Sequence, residues 1–476
     1  RTGQLHDVVE VAMALANRAV RARSHPRPVR TRAVLVGVIT LVAAAVAACG
    51  GGSSSGSGSS ASAMKDGFTQ APQSSGPLTV WVDSTRVPAA QAYQKAHPDV
   101  KLNIVTYDGD ANGSNTLQTK VELYDRTGSG WPDVVFSAEN NEASWAVPAG
   151  FTAPLNQGLI PSSTLSNFAT GALDPCTVDG KVYCLRNDLA MVVLWYNAKL
   201  MKQWGYQVPT TWPQYEQLGQ EVAKQHPGYL VGNAGDTFTP EIYMWASQCQ
   251  ANNITSIRAV TVNVTSSECT RMASLIDTLT KAGSMSKLSV FSTAFDKNEK
   301  GKVLMLPGPA WFGGAVFDSS SGLNTPKGQI AVAPVPQWPG SAAPSTGNVG
   351  GGLWLVSAHS RHLTEAVDFV TWVTGNNAYQ ADLAPGYPAY APAASAWLAN
   401  QAKSGYYTDN IAPVLQQAAG QVWSGWGYGT FSQEAIWAST IDPGLTGGQT
   451  IVSMLPAWQT AITDHAQADG YQVSSP

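Results

Sequence analysis

Residues 178–203 read VDGKVYCLRNDLAMVVLWYNAKLMKQ, and this stretch decides the fold. Asp179-Gly180, between two short apolar segments, predicts a tight hairpin turn. The continuous apolar run at 192–196 predicts a strand that is buried on both faces. Asn197 predicts the N-cap of a helix that follows directly. The order of hairpin, crossing segment, buried strand and helix is the framework for the rest of the chain.

The segment before this stretch alternates strands and helices. Strands are predicted at 77–82, 100–105 and 132–136, and helices at 89–97 and 115–124. This alternation predicts a parallel sheet with helices on both faces. Ligands of such sheets bind beyond the carboxyl ends of the strands. The predicted binding rim therefore comprises Asp83, Arg86, Glu139, Asn140 and Asn141.

The N-terminal part of the chain predicts export. Residues 1–48 combine a basic region with a short apolar run, as in a signal peptide. The run ends in Val-Ala-Ala-Cys49, which resembles the bacterial lipobox, and residues 49–76 begin with a Gly/Ser-rich tether. We expect a lipid on Cys49 to anchor the protein to the outer face of the cytoplasmic membrane. The alternative is an ordinary secretory signal with an incidental cysteine.

Composition excludes some partners and favours others. Removing the leader's net charge of +5 from the formal −4 leaves about −9 for the mature chain, without a basic patch, so nucleic acid is not an expected partner. Charged residues make up 13% of the chain, which carries 16 Trp and 16 Tyr. So many aromatic rings in a weakly charged exported protein suggest flat apolar surfaces for a ligand, although more than half of the Trp residues should be core.

Four cysteines remain after Cys49. In an oxidising compartment they should pair, and three connectivities are possible. Cys176–Cys184, which would close the predicted hairpin, and Cys249–Cys269 are the favoured pairs. Metal binding is the disfavoured alternative because no C-x-x-C spacing or nearby His accompanies them. No cofactor is predicted.

The string GKVY followed by LWYNAKL resembles the "GK-hydrophobic-Tyr … YN-x-x-L" core of the extracellular solute-binding proteins, family 1, the maltose-binding-protein-like components of carbohydrate ABC importers. The strings PDVVF, PTTW, FDKNEKGKVLMLPG and VGGGLWLV extend the resemblance over about 78–466. It implies an α/β, two-lobed periplasmic-binding-protein-like fold. Each lobe would be a sheet flanked by helices, with a multi-strand hinge near Asp188. Lobe 1 would comprise 77–187 and 335–385, and lobe 2 would comprise 188–334 and 386–476.

The resemblance also implies ligand-binding residues. Arg86, Asn140 and Asn141 fall where a relative contacts its ligand, and Trp311 falls where the family often has a stacking aromatic residue. A helix predicted at 237–249 carries further candidates. The remaining predicted ligand-binding residues are Asp188, Glu241, Tyr243, Trp245, Gly351 and Gly352, with Trp426 and Tyr428 from a C-terminal aromatic cluster. The glycines would let a ligand approach the backbone closely.

The implied function is capture of a sugar, expected to be an oligosaccharide, between two closing lobes, and its delivery to the permease subunits of an ABC importer by a monomeric lipoprotein. Aromatic rings would cover the sugar faces, and polar side chains would bind the hydroxyls. One alternative is the same fold with a polyol phosphate or a polyamine as solute. A secreted glycosidase is less favoured because nothing in the sequence pairs two carboxylates, and no catalytic residue is predicted. A surface adhesion module without a transporter is the third alternative.

Overall fold

A computed structural model describes residues 67–475 of the chain. The predicted leader, the predicted lipidation site at Cys49 and the first part of the tether lie outside the described residues. Within the described range, no helix is both long enough and apolar enough to cross a membrane.

The strands are short and are distributed along the whole described chain. Their bounds are β1 Leu78–Val82, β2 Leu102–Thr106, β3 Val134–Ser137, β4 Thr177–Val178, β5 Lys181–Val182, β6 Cys184–Arg186, β7 Asp188–Leu189, β8 Val192–Asn197, β9 Gly232–Asn233, β10 Gln250–Ser256, β11 Ala259–Asn263, β12 Met285–Ser286, β13 Met305–Pro309, β14 Ile330–Ala333, β15 Leu353–Val356, β16 Tyr387–Pro388 and β17 Gln472–Ser474.

The α-helices alternate with these strands. Their bounds are α1 Val87–Ala96, α2 Thr116–Thr127, α3 Glu142–Ala146, α4 Ser162–Leu165, α5 Ala198–Trp204, α6 Trp212–Gln225, α7 Ser267–Ala282, α8 Thr293–Glu299, α9 Leu363–Gly375, α10 Asn377–Gln380, α11 Ala391–Ser404, α12 Ala412–Ala419, α13 Gln433–Thr440, α14 Asp442–Thr446 and α15 Ile451–Ala468. Short 3-10 turns lie at Ala111–Gly113 and Asp174–Cys176, and π-helical turns lie at Pro240–Met244 and Gly313–Phe317.

The first lobe is built on a five-stranded sheet with the order β2-β1-β3-β15-β6. β1 pairs in parallel with β2 and β3, as predicted, and β15 runs antiparallel between β3 and β6. Alternate side chains point to opposite faces of a strand. Val80 therefore packs on one side of the sheet with α1 and α9, while Trp81 packs on the other with α2 and α3. The predicted layer of helices on each face is confirmed.

The second lobe is built around β8, the strand predicted from the apolar run. β8 lies between β13 and β14, antiparallel to both, and helices α6, α7 and α15 contribute to the surrounding core. Asn197 caps the following helix, since its side-chain oxygen accepts a hydrogen bond from the Leu200 N–H at 3.0 Å. The predicted buried strand and its helix are confirmed.

We propose that the chain crosses between the lobes three times, near β7, at the glycines 350–352 and near β16. β6 belongs to the first sheet and β8 to the second, and β7 between them pairs with β16. Val335 and Val349 pack in the core of the second lobe. We propose that the chain returns to the first lobe at residues 350–352, later than the boundary predicted at residue 335.

Both favoured cysteine pairings are confirmed. Cys176–Cys184 closes the predicted hairpin of β4 and β5, with Cα atoms 5.0 Å apart. Cys249–Cys269 joins the segment before β10 to the first turn of α7, with Cα atoms 4.6 Å apart. The helix predicted at 237–249 is wrong in extent, because this segment forms only the π-helical turn Pro240–Met244 flanked by turns.

Candidate functional site

A cavity of about 360 Å³ lies between the two lobes. The loops after β1 and β3 line one side, and the segments around Phe238, Phe291 and Trp311 line the other. Its size is near the lower end of the usual range for small-molecule sites. Of the predicted site residues, the cavity wall contains Asp83, Arg86, Glu139, Asp188, Trp311, Gly351 and Gly352.

The polar wall centres on Arg86, which lies between two carboxylates. Its guanidinium lies 3.4 Å from Asp188 Oδ1 and 3.7 Å from Asp83 Oδ2, and it covers the ring of Phe136 at 4.5 Å. Asp83 Oδ1 accepts hydrogen bonds from the Arg86 backbone N–H and the Thr85 hydroxyl, both at 2.8 Å. The loop that ends β1 thereby fixes this charged group at the edge of the sheet.

Asp188 enters the cavity from the crossing segment. Burial raises the pKa of its carboxyl above the usual value, against the opposing charge of Arg86 and a hydrogen bond from Asn187. Its Oδ1 accepts the Asn187 side-chain N–H at 2.8 Å, while its Oδ2 has no hydrogen-bond partner among the described residues. A buried acceptor without a partner is costly, and a ligand hydroxyl could satisfy it.

The glycines at 350–352 bring bare backbone to the same cavity. All three have positive φ, with values of 63°, 103° and 63°. A Cβ at Gly351 would collide with the Arg186 guanidinium and the Asp188 carbonyl, and one at Gly352 would collide with the Phe136 ring. Only glycine fits this close approach.

The aromatic wall carries Trp311 and Phe291. Their ring centroids lie 5.8 Å apart with a 20° angle between the planes, and Trp311 Nε1 donates to the Val349 carbonyl at 3.0 Å. Phe238 packs edge-on against both rings. Phe291 is 56% exposed, which is unusual for so large an apolar side chain. A hydrogen bond orients the indole, so that the rings form a flat apolar surface facing the polar wall.

Phe291, Phe238 and Glu434 were missed by the sequence reasoning. Phe291 lies in a loop without periodicity, and Glu434 lies in the first turn of α13, far along the chain from the other cavity residues. No local signal in the sequence identifies them, because only the folded chain brings them to the cavity.

Glu139 and Glu434 face each other across the lobe boundary. Glu139 Oε1 accepts the Gly113 N–H at 3.0 Å, and its Oε2 accepts the Ser432 hydroxyl at 3.3 Å. Burial raises the pKa of Glu434 to about 6, and burial together with nearby carboxylates raises that of Glu139 well above its usual value. Thr237 Oγ1, which also lies between the lobes, donates to Asn112 Oδ1 at 3.0 Å. These contacts describe a closed arrangement of the lobes.

Besides Glu139, six predicted site residues surround a second, much smaller cavity of about 20 Å³ next to the first. They are Asn140, Asn141, Glu241, Trp245, Trp426 and Tyr428, and Glu139 lines both cavities. The Trp245 and Trp426 rings stack on each other, with centroids 5.2 Å apart and a 9° angle. Both indoles are buried, so each covers the other in this closed arrangement instead of facing the main cavity.

Tyr243 lies outside both cavities, which corrects its nomination as a ligand contact. Its ring is fully buried in the core of the second lobe against Trp212, and its hydroxyl accepts the Asn233 N–H at 3.4 Å. The π-helical turn directs Glu241 and Trp245 toward the lobe boundary but turns Tyr243 inward.

A larger groove of about 490 Å³ lies elsewhere along the lobe boundary, lined by α2, α3 and residues near Ile257 and Tyr471. Of the predicted site residues it includes only Tyr428. We assign ligand binding to the 360 Å³ cavity because it combines a flat aromatic wall, a charged polar wall and glycine backbone. No group of His, Cys, Asp and Glu suited to a metal ion occurs in the described range.

Comparison with known proteins agrees with this architecture. The family model of the bacterial extracellular solute-binding proteins matches residues 76–381. A lactose-binding protein of Rhizobium radiobacter is 25% identical over 302 residues, covering 62% of this chain and 67% of the relative. An arabinooligosaccharide-binding protein of Bacillus subtilis strain 168 is 25% identical over 316 residues, covering 63% and 69%.

Solved structures share the fold. The galacto-N-biose-/lacto-N-biose I-binding protein of a Bifidobacterium longum ABC transporter has a TM-score of 0.68 at 20% identity, covering 84% of this chain and 99% of its own. An ABC transporter-associated binding protein of B. animalis subsp. lactis Bl-04, solved with β-1,6-galactobiose, has a TM-score of 0.70 at 21% identity, covering 84% and 99%. The two-lobed fold is therefore that of periplasmic binding proteins, and the chain belongs to the family of bacterial extracellular solute-binding proteins.

Proposed function

We propose that this protein captures an oligosaccharide between its two lobes outside the cytoplasm and delivers it to the permease of an ABC importer. The observation that carries the proposal is the pairing of opposed walls in one cavity: Trp311 and Phe291 on one side, and Arg86 with its carboxylates on the other. A sugar ring has apolar faces and a polar edge, so these walls match its two kinds of surface.

The cavity chemistry argues against a phosphate-bearing solute. Arg86 is the cation in the cavity wall, and it is already shared between Asp83 and Asp188. Phosphate recognition usually recruits several basic groups or backbone N–H donors. Members of this family are binding proteins, and we propose that this chain likewise has no catalytic activity.

Lobe closure would couple capture to transport. Two-lobed periplasmic binding proteins close around ligand by hinge motion, and a ligand favours closure only through its higher affinity for the closed form. The short crossings at β7 and at 350–352 are the proposed hinge. The permease would then recognise the closed form.

The experiment is a calorimetric and thermal-shift screen of the chain from residue 50 onward against neutral di- to tetrasaccharides, polyol phosphates and polyamines, with hydrolysis followed in parallel. We expect a neutral oligosaccharide to raise the melting temperature without being cleaved. A response only to a polyol phosphate or a polyamine, or cleavage of the sugar, would overturn the proposal.

Trp311→Ala provides the site-directed test. Losing the ring should weaken saccharide binding by at least about tenfold, because buried aromatic contacts dominate binding energy. Trp204→Ala is the matched control, since Trp204 is a half-buried indole on the second lobe that stacks on His226 outside the cavity. Equal affinity of both variants for the saccharide would remove Trp311 from the site.

We also propose that the mature protein is a monomer anchored through lipid on Cys49. Metabolic labelling with a radioactive fatty acid should mark the wild type but not Cys49→Ser, which should appear in the medium. Labelling of both forms would rule out Cys49 as the modified residue.

A further inference from the structure

Three carboxylates meet where the lobes close. Glu139 follows β3 in the first lobe, Glu241 lies in the π-helical turn and Glu434 lies in the first turn of α13. All three are buried, and each lies close enough to the others for their negative charges to interact. Buried charges in proteins are normally paired with an opposite charge.

The guanidinium groups of the nearby cations bind other residues, although the positive charge of Arg186 still lowers the pKa of Glu241 against the larger effect of burial. Arg186 faces Glu241, but its guanidinium donates to the carbonyls of Asp188 at 2.9 Å and Gly350 at 2.6 Å. Arg86 is held by two other carboxylates. In the described part of the chain, none of the three glutamates takes part in a salt bridge.

Buried polar side chains near these carboxylates lack hydrogen-bond partners among the described residues. Asn140 is only 6% exposed, yet neither its side-chain nitrogen nor its oxygen has a hydrogen-bond partner among the described residues. The same holds for Glu241 Oε2 and Gln433 Oε1. All three side chains line the 20 Å³ cavity. Three unsatisfied acceptor oxygens around one small space match the three N–H donors of an ammonium group.

The dimensions agree with such an occupant. A cavity needs about 10–15 Å³ to admit one water-sized group, so a space of about 20 Å³ holds one small polar group and excludes a sugar ring. Glu139 lines both this space and the 360 Å³ cavity. The two cavities are therefore adjacent, and a substituent on a ring in the larger cavity would lie next to Glu139.

We propose that Glu139 and Glu241, together with Asn140 and Gln433, bind a protonated amine carried by the saccharide, so that the solute is an amino-sugar oligosaccharide. Glu434, on the wall of the larger cavity, adds negative charge beside this subsite. This proposal rests on the proposed function and narrows its substrate class. Burial and mutual repulsion raise the pKa values of these carboxyls, and a bound ammonium would oppose that repulsion and favour their ionised forms. It would also join carboxylates from both lobes. A ligand with this group would favour the closed form over the open form.

The test uses matched sugars that differ only at C2. Isothermal titration at pH 7 compares β-1,4-linked di- to tetrasaccharides of glucosamine, of N-acetylglucosamine and of glucose, next to putrescine and the neutral sugars of the general screen. We expect a glucosamine oligosaccharide to bind at least about tenfold more tightly than its acetylated and hydroxyl counterparts, since hydrogen bonds to charged groups are the stronger ones.

Glu241→Gln tests the subsite directly, because Glu241 lines the small cavity and its Oε2 has no hydrogen-bond partner among the described residues. It should reduce the preference for amine over acetamide by about tenfold, whereas Glu365→Gln, an exposed acid on α9, should leave that preference unchanged. Melting curves of both variants without ligand would show that the fold is intact. Glu139→Gln is the second variant, and it should act in the same direction.

The outcomes separate the two proposals. Binding of a neutral sugar with no gain from the amine would overturn the amine subsite, leave the oligosaccharide function standing and indicate that the small cavity holds water. Failure of every sugar, with or without the amine, would overturn both. Putrescine binding as tightly as the glucosamine series would overturn the saccharide requirement.

Discussion

The buried carboxyl of Asp236 should make the stability of the protein depend on pH. It is buried in the second lobe, where both carboxylate oxygens accept the Val290 N–H, at 3.2 and 3.3 Å. This bond holds the loop that presents Phe291 to the cavity. Burial raises the pKa of Asp236 from 3.8 to about 7, opposed by hydrogen bonds from Ser289 and Val290, and nearby Asp442 and Glu434 raise it further.

Proton linkage determines whether stability rises or falls with pH. Between pH 4 and 7 the folded form holds a proton on Asp236 that the unfolded chain has released, so stability falls as pH rises through this window. A shift of about three pKa units corresponds to about 4 kcal/mol. Asp236→Asn has nearly the same shape, keeps the acceptor for Val290 and carries no charge.

We therefore expect Asp236→Asn to match the wild type at pH 4 and to exceed its free energy of unfolding by up to about 4 kcal/mol at pH 8. Urea titrations followed by tryptophan fluorescence at pH 4, 6 and 8 measure this difference. Asp464→Asn, at an exposed position on α15, is the control and should show no pH-dependent gain. A difference between Asp236→Asn and wild type that stays constant with pH would refute the reasoning.

Two further predictions concern covalent and backbone restraints. Cys176→Ser and Cys249→Ser should each destabilise the oxidised protein by about 3 kcal/mol, from loops with separations of 8 and 20 residues, measured by urea unfolding with and without reductant. Equal stability of variant and oxidised wild type would contradict this. Gly351→Ala should lower the free energy of unfolding by about 1–3 kcal/mol and weaken ligand binding. Gly340→Ala, which also has positive φ but has open space around it, should leave binding intact, and loss of binding there would argue against a local effect.

Local features of the chain could be predicted from the sequence alone. The buried strand at 192–196, the Asn197 cap and the hairpin at Asp179-Gly180 depend on residues that are close in sequence. Apolar periodicity, capping and turn chemistry are short-range effects, so they indicated these elements without the tertiary structure. The preference for Cys176–Cys184 followed from the same hairpin.

The sequence did not show which aromatic residues line the cavity and which lie in the core. Trp311 and Tyr243 were both nominated for the site, and the structure places Trp311 in the cavity wall and Tyr243 in a core. Nothing in their immediate neighbours distinguishes them. Each side chain's position depends on how the π-helical turn packs against β13 and α6, which involves contacts between residues far apart in sequence.

The order of the motifs in the sequence predicted the two-lobed family fold and the strands that carry the polar rim, because these depend on local patterns and their spacing. It favoured the two disulfide pairs among three possible connectivities, and the structure shows them. Only the tertiary structure brought Phe291 to Trp311, and Glu434 to Glu139 and Glu241. These partners come from separate lobes or distant loops. Phe291 and Trp311 stack within the second lobe, whereas Glu139 of the first lobe accepts a hydrogen bond from Ser432 of the second lobe where the two lobes meet. The carboxylates gathered at that boundary are the basis of the ligand that we propose.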